Sequence, residues 1–299
     1  MNVIGRSTYS AQVGSTLVPA FLVLLALMPT TSSALPDQTI QLPSGAHVVR
    51  NVAYGPDSNQ VFDVYIPRDA RDAPVLFMVH GGGWRSGSKS SRGVVQNKIN
   101  YFLPRGYIFV SADYRLINQS AVTVMTEVDD VARVLAYAQQ HAKEWGGDSS
   151  SFVLMGHSAG AHLVTLLSSV PSIWKKAGAM PWLGTVALDG AAYNVVQIMK
   201  RRHYRLYDLA FGTDPRFWEE VSPTLRLNAA PPPVLLVCSS LRADSCGAAR
   251  AYAEKANSFG GRSKVEVMPT PLTHGEINAQ LGEASSYTEA VAHFIRSLR

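Results

Sequence analysis

Cysteine is nearly absent from this chain: Cys238 and Cys246 are the only two among 299 residues. The seven residues between them fit no zinc-ligand spacing, so no structural metal is expected. Charge is scarce too, at 16% of residues against 46% apolar. That balance excludes a disordered chain and leaves ample material for a core. Net charge is a mild +5, and the one dense basic run is Lys200 to Arg205. A nucleic-acid interface needs a larger basic surface than this. Internal repeats and low-complexity tracts are missing. So is any apolar run long enough to cross about 30 Å of hydrocarbon.

The longest apolar stretch is Leu17–Met28, preceded by the single cation Arg6 and followed by small residues up to Ala34. This is the layout of a secretory signal peptide cut near Ala34. A mature chain from Leu35 would hold 26 basic and 22 acidic residues. No cysteine follows the apolar run, which argues against a lipid anchor. The expectation is a secreted or periplasmic protein, and in such a compartment Cys238 and Cys246 can pair as a disulfide.

Beyond the leader, the pattern is that of an α/β protein. "GAHVVRNVAYG" and "NQVFDVYIPR" alternate apolar and polar residues about the turn "GPDSN", predicting an antiparallel edge hairpin with one wet face. After Pro74 come short, almost wholly apolar runs: "PVLFMVH", "YIFVSADY", "SFVLMGH", "GTVALDG", "PPVLLVCSS" and "KVEVMP". Strands buried on both faces of a parallel sheet read this way. Helical periodicity lies between them, over 127–145, 159–168, 248–259 and 287–298. The regular alternation predicts a doubly wound, mostly parallel sheet with helices on both faces. Residues 191–230 fit this pattern poorly and are expected to form a short helical insertion over the site within a single domain, 35–299.

Ligands in such sheets bind at the carboxyl ends of strands, and there the reactive residues collect. "FVLMGHSAGAHL" places Ser158 between an apolar strand and a helix, with Gly156 and Gly160 two residues to either side. A serine needs a sharp turn to lift it above the sheet and a base to take its proton. "FMVHGGGWRSGS" follows the first parallel strand. Its glycines let backbone N–H groups approach a developing negative charge. Gly82 and Gly83, with Ala159 beside the serine, are the expected oxyanion donors, and Gly81 is the competing choice. The run lacks the Lys-Ser/Thr ending of a phosphate-binding loop. His80 is expected to orient the loop.

Of eight histidines, His274 alone lies in a turn-rich loop just past the last strand, and it is the expected base. His47, His141 and His293 lie away from strand ends. His157 is buried in the elbow, His162 is one turn into its helix, and His203 lies in the insertion. The acid should orient the imidazole and stabilise its charge. Asp244 follows the strand "VLLVCSS" and gives the chain order Ser, Asp, His. Asp189, Asp208, Asp214 and Glu276 are the rivals, Asp189 sitting at a strand end one strand early. A disulfide would close a small loop around Asp244.

"HGGGW", "GHSAG", "SADYRL" and the spaced Asp and His together resemble the carboxylesterase and lipase branch of the α/β-hydrolase superfamily. The resemblance runs from about Val48 to the C-terminus and implies a triad of Ser158, Asp244 and His274. The helical cap that hormone-sensitive-lipase-like members place before their first strands has no counterpart here. "LDGAAY" and "GTDPRFWEEVSP" are similar to the small-esterase branch that includes feruloyl-esterase-like proteins and kynurenine formamidase. The expectation is a serine hydrolase of small carboxylic esters, needing no metal or organic cofactor. Amide hydrolysis of the arylformamidase kind is the alternative. A silent binding protein on this fold would typically lack a triad member.

Overall fold

The computed structural model describes residues 39–261 and 264–299. The expected signal peptide lies outside them. The strands are β1 (His47–Ala53), β2 (Val61–Ile66), β3 (Ala73–Val79), β4 (Ile108–Ala112), β5 (Gly147–His157), β6 (Gly184–Leu188), β7 (Val234–Ser239) and β8 (Val265–Thr270). They form one eight-stranded sheet in the order β1-β2-β4-β3-β5-β6-β7-β8. β1 and β2 pair antiparallel, as does β2 with β4, and every pairing from β4 through β3 to β8 is parallel. This is the fold of an α/β-hydrolase.

The apolar strands serve two cores at once, because successive side chains point to opposite faces. On one face Phe77, Val79 and Leu154 pack with helices α2 (Val124–His141) and α3 (Ala159–Ser169). On the other, Leu76, Met78, Val153 and Met155 pack with α1 (Arg92–Phe102) and the C-terminal helix Ser286–Ser297. Each fully buried aliphatic side chain contributes roughly 1.5–3 kcal/mol.

Between α3 and β6 lies α4 (Pro171–Lys176). Four short helices fill the β6–β7 connection: α5 (Val195–Met199), α6 (Arg205–Phe211), α7 (Pro215–Glu220) and α8 (Pro223–Arg226). After β7 comes α9 (Ser245–Ser258), and after β8 come α10 (His274–Ala279) and α11 (Ser286–Ser297).

Two local expectations differ from the structure. β2 has no wet face: Phe62 through Ile66 are all buried. Its polar residue, Asp63, is covered because Lys89 Nζ lies 2.7 Å from Oδ1 and Arg50 Nη1 lies 3.3 Å from Oδ2. A charge can be buried when it is paired and hydrogen-bonded. The expected loop at His274 is instead the start of α10. Thr273 and Glu276 form a reciprocal capping box, and this T-x-x-E signal is present in the sequence.

Candidate active site

Parallel register sets the strand ends side by side. Val79 pairs with Gly156, His157 with Leu188, and Leu188 with Val237. The residues just beyond β3, β5, β6 and β7 therefore emerge along one edge of the sheet, and the site is built there.

Ser158 sits between β5 and α3 with φ 57° and ψ −115°. A positive φ on a non-glycine residue costs about 1–3 kcal/mol. It persists here because the turn is locked on both sides. A Cβ on Gly156 would lie 2.3 Å from the Gly160 carbonyl oxygen, and one on Gly160 would lie 2.2 Å from that of Val79. The Ser158 N–H donates to Leu188 O at 2.9 Å. The side chain is thus presented at the N-terminus of α3, where the helix favours negative charge.

His274 completes a hydrogen-bonded row. Its Nε2 lies 2.9 Å from Ser158 Oγ, and its Nδ1 lies 2.6 Å from Asp189 Oδ2. With Nδ1–H donating to the carboxylate, Nε2 is free to accept the serine proton. His157 fixes the backbone from beneath, its Nε2–H donating to His274 O at 2.9 Å. Burial, with the neighbouring His274, pushes the His157 imidazole down to about 3. It is a neutral strut rather than a base.

The acid of the row is Asp189, and this corrects the assignment of Asp244. Asp244 points elsewhere: its Oδ2 accepts from Arg242 Nη2 at 3.1 Å, and its side chain is half exposed. Asp189 is fully buried just past β6, with φ 50°. Its N–H donates to Val237 O at 2.8 Å, which holds the residue against β7. Besides His274, its carboxylate accepts from Ser239 N at 2.8 Å, Arg242 Nη1 at 2.6 Å and the Ser245 hydroxyl. Burial alone would raise this carboxyl, but the hydrogen bonds from His274, Ser245, Ser239 and Arg242 outweigh it and hold it well below the ordinary range.

Arg242 was not singled out by the sequence. Its Nη1 lies 2.8 Å from His274 Nδ1. With Nδ1 protonated both groups are donors, so the two converge on one Asp189 oxygen rather than bond to each other. Asp244 lies on the far side of Arg242, accepting from its Nη2.

The two cysteines are bridged, with Cα atoms 5.1 Å apart. The closed loop contains Ser239, Arg242 and Ser245. Three of the four donors to Asp189 therefore sit in one covalently closed turn. The bridge was expected to steady Asp244; its loop instead clamps Asp189.

On the opposite wall, Gly82 and Gly83 have φ values of 119° and 60°. Gly81 lies directly against the nucleophile, since a Cβ there would approach Ser158 Cβ to 2.9 Å. Among the described residues, the N–H groups of Gly82, Gly83 and Ala159 donate to no other oxygen of the chain. Tyr114 holds this loop, donating its hydroxyl to His80 O at 2.9 Å while its ring stacks on the His80 imidazole at 4.5 Å. Trp84, next to the glycines, donates to His162 Nδ1 at 3.3 Å and packs edge-on against Phe211 of α6. His162 in turn bonds Val221 O at 2.7 Å. Burial pushes its imidazole down to about 4. His162 thus joins the glycine loop to the β6–β7 connection and takes no part in the row.

A nucleophile–imidazole–carboxylate row whose carboxylate is buried and whose imidazole is partly open, beside unused backbone donors, can carry acyl transfer. Among the described residues there is no cluster of three or more candidate metal ligands.

Similarity to known proteins points the same way. Residues 62–176, from β2 through α4, match the BD-FAE family. The chain is 26% identical over 259 residues to a probable isoprenylcysteine alpha-carbonyl methylesterase of Arabidopsis thaliana, covering 78% of this chain and 52% of that protein. It is 28% identical over 169 residues to kynurenine formamidase of Salmo salar, covering 56% and 53%. Among solved structures, a thermophilic esterase of Thermogutta terrifontis superposes with a TM-score of 0.66 at 25% identity, covering 85% of this chain and 92% of that one. The chain thus spans about half the length of the two curated relatives.

Proposed function

We propose that this chain is a carboxylic ester hydrolase working through an acyl-enzyme. The observation that carries the reading is the row Ser158 Oγ, His274 Nε2 and Nδ1, Asp189 Oδ2, with links of 2.9 and 2.6 Å. Ser158 Oγ attacks the ester carbonyl as His274 Nε2 takes its proton. The tetrahedral oxyanion accepts hydrogen bonds from backbone N–H groups at Gly82, Gly83 and Ala159. Collapse expels the alcohol, which receives the proton from Nε2. Water then attacks the acyl-enzyme by the same route, releasing the acid and restoring Ser158. Asp189 holds the Nδ1–H tautomer and stabilises the transient imidazolium. Serine and water supply the electron pairs that attack the carbonyl, and the Nε2 lone pair of His274 carries the proton between them and the leaving group.

The esterase names and the esterase structure among the similar proteins support this reaction. The likeness to kynurenine formamidase supports a second reading, amide hydrolysis on the same row. The two differ in how much proton the leaving group demands from His274. Turnover of a short-chain nitrophenyl ester by the wild type and by Ser158→Ala is the test. Equal rates would remove the hydrolase assignment, and a formamide arm would separate the two readings.

We also propose export, with cleavage near Ala34. The paired cysteines support an oxidising compartment. No helix among the described residues is long and apolar enough to cross a membrane. N-terminal sequencing of the protein recovered outside the cytoplasm would read Leu35 first; an intact Met1 there would remove the proposal.

A further inference from the structure

The β6–β7 connection carries charge that the row does not use. Arg201 and Arg202 are exposed between α5 and α6, and Arg205 is exposed as the first residue of α6. None of the three forms an ion pair or side-chain hydrogen bond among the described residues, whereas the neighbouring acids are taken. Asp208 pairs with His203 at 2.9 Å, and Asp244 pairs with Arg242 at 3.1 Å. The three arginines line a cleft of about 1140 Å³ between α5–α6 and the start of α9, in which Asp244 is the only acid. Tyr204 and Leu241 line it too, 70% and 63% exposed.

A solvated basic face would be convex and would leave few large apolar groups uncovered. Here unpaired guanidiniums and open apolar side chains share a concavity. That combination suits an anionic ligand with an apolar or ring-shaped body. The size decides further. Small-molecule pockets run to about 1,000 Å³, so a short acyl ester would leave most of this cleft empty. A bilayer surface, being flat, does not enter it. Ser158 and His274 do not line the cleft. It meets the row at Arg242, whose Nη1 touches Asp189 Oδ2 at 2.6 Å.

We propose that this cleft binds the polyanionic body of the substrate, an ester carried on a chain of several carboxylates such as an oligomer of uronic acids. The inference rests on the hydrolase reading above and adds the substrate class. Arg201, Arg202 and Arg205 hold carboxylates remote from the scissile bond, while the ester itself reaches Ser158.

The test compares acetate release from an acetylated oligogalacturonate and an acetylated xylo-oligosaccharide of equal length. The wild type should prefer the acidic chain by about tenfold in kcat/KM at low salt. The preference should shrink at high salt, as charge pairing is screened. In R201A/R202A/R205A, checked for folding by its melting curve, the acid-to-neutral ratio should fall to within about twofold. A wild type without preference, or a triple variant that keeps it, overturns the proposal. Calorimetry of unacetylated oligogalacturonate on S158A separates this outcome from failure of the chemistry, because binding there needs no turnover. Binding that disappears with the three arginines supports the cleft; absent binding overturns it. Tighter binding to phosphatidylglycerol vesicles than to the oligomer would overturn it in favour of a lipid surface.

Discussion

The two halves of the candidate site are built in different ways. The nucleophile half is local. Ser158, Gly156 and Gly160 lie within five consecutive residues, and the glycines are forced by backbone oxygens less than 2.5 Å from where a Cβ would sit. The acid half is assembled from a distance. Asp189 takes its donors from residues 50, 53, 56 and 85 positions further along the chain. A site can therefore place its nucleophile with one turn and still need several separate segments to place its acid.

The comparison is broken most severely at its two ends. Ser158→Ala should reduce ester turnover by about 10⁴-fold or more while leaving the melting temperature within a few degrees. Steady-state kinetics beside a melting curve checks this.

Next in size is the contrast between the two aspartates. Asp189→Asn should lower kcat about 10⁴-fold, because the imidazole loses its anchor and its tautomer. Asp244→Asn should cost less than about tenfold, since that carboxylate meets only the exposed side of Arg242. Reversed magnitudes would restore Asp244 as the acid and break the comparison at its centre.

Removing the bridge should sharpen it. C238A/C246A closes no loop, and a ring of this size is worth about 2–3 kcal/mol of stability. Because the loop carries Ser239, Arg242 and Ser245, kcat should fall more than KM changes. Denaturant melts and kinetics on the double variant give both numbers. Full activity with unchanged stability would show that the loop clamps Asp189 without the disulfide.

The smallest effect is a pH control on the nucleophile side. Glu127, buried at the start of α2, has its carboxyl pushed up to about 10 by burial. Its Oε2 has no hydrogen-bond partner. The unfolded chain releases this proton near pH 4.3 and the folded chain retains it. The unfolded state therefore binds fewer protons across the interval, and stability falls as pH rises from about 4.3 towards 10. Glu127→Gln mimics the neutral form and should raise the melting temperature at pH 8 by a few degrees, with little change at pH 4. Equal shifts at both pH values would exclude a protonated Glu127.

Much of this was legible in the chain. The six apolar runs after Pro74 are β3 to β8; the first five are buried on both faces, where a strand has no room for polar alternation, whereas β8 closes the edge of the sheet and is partly exposed. Ser158 and His274 were readable from their places at strand ends. The buried face of β2 was not, since only the folded chain brings Lys89 to Asp63. Neither was Arg242, whose meaning depends on Asp189 lying beside it.

By itself, then, the sequence determined the parallel sheet, the strained serine turn and the strand-end position of the base. These follow from residue type over a few neighbouring positions. The choice between Asp189 and Asp244 was left to tertiary structure. Both stand near strand ends, and both give the chain order Ser, Asp, His. Only the side-by-side register of β5, β6 and β7 puts Asp189 against His274, and only the closed turn after β7 supplies the donors that keep it ionised while buried.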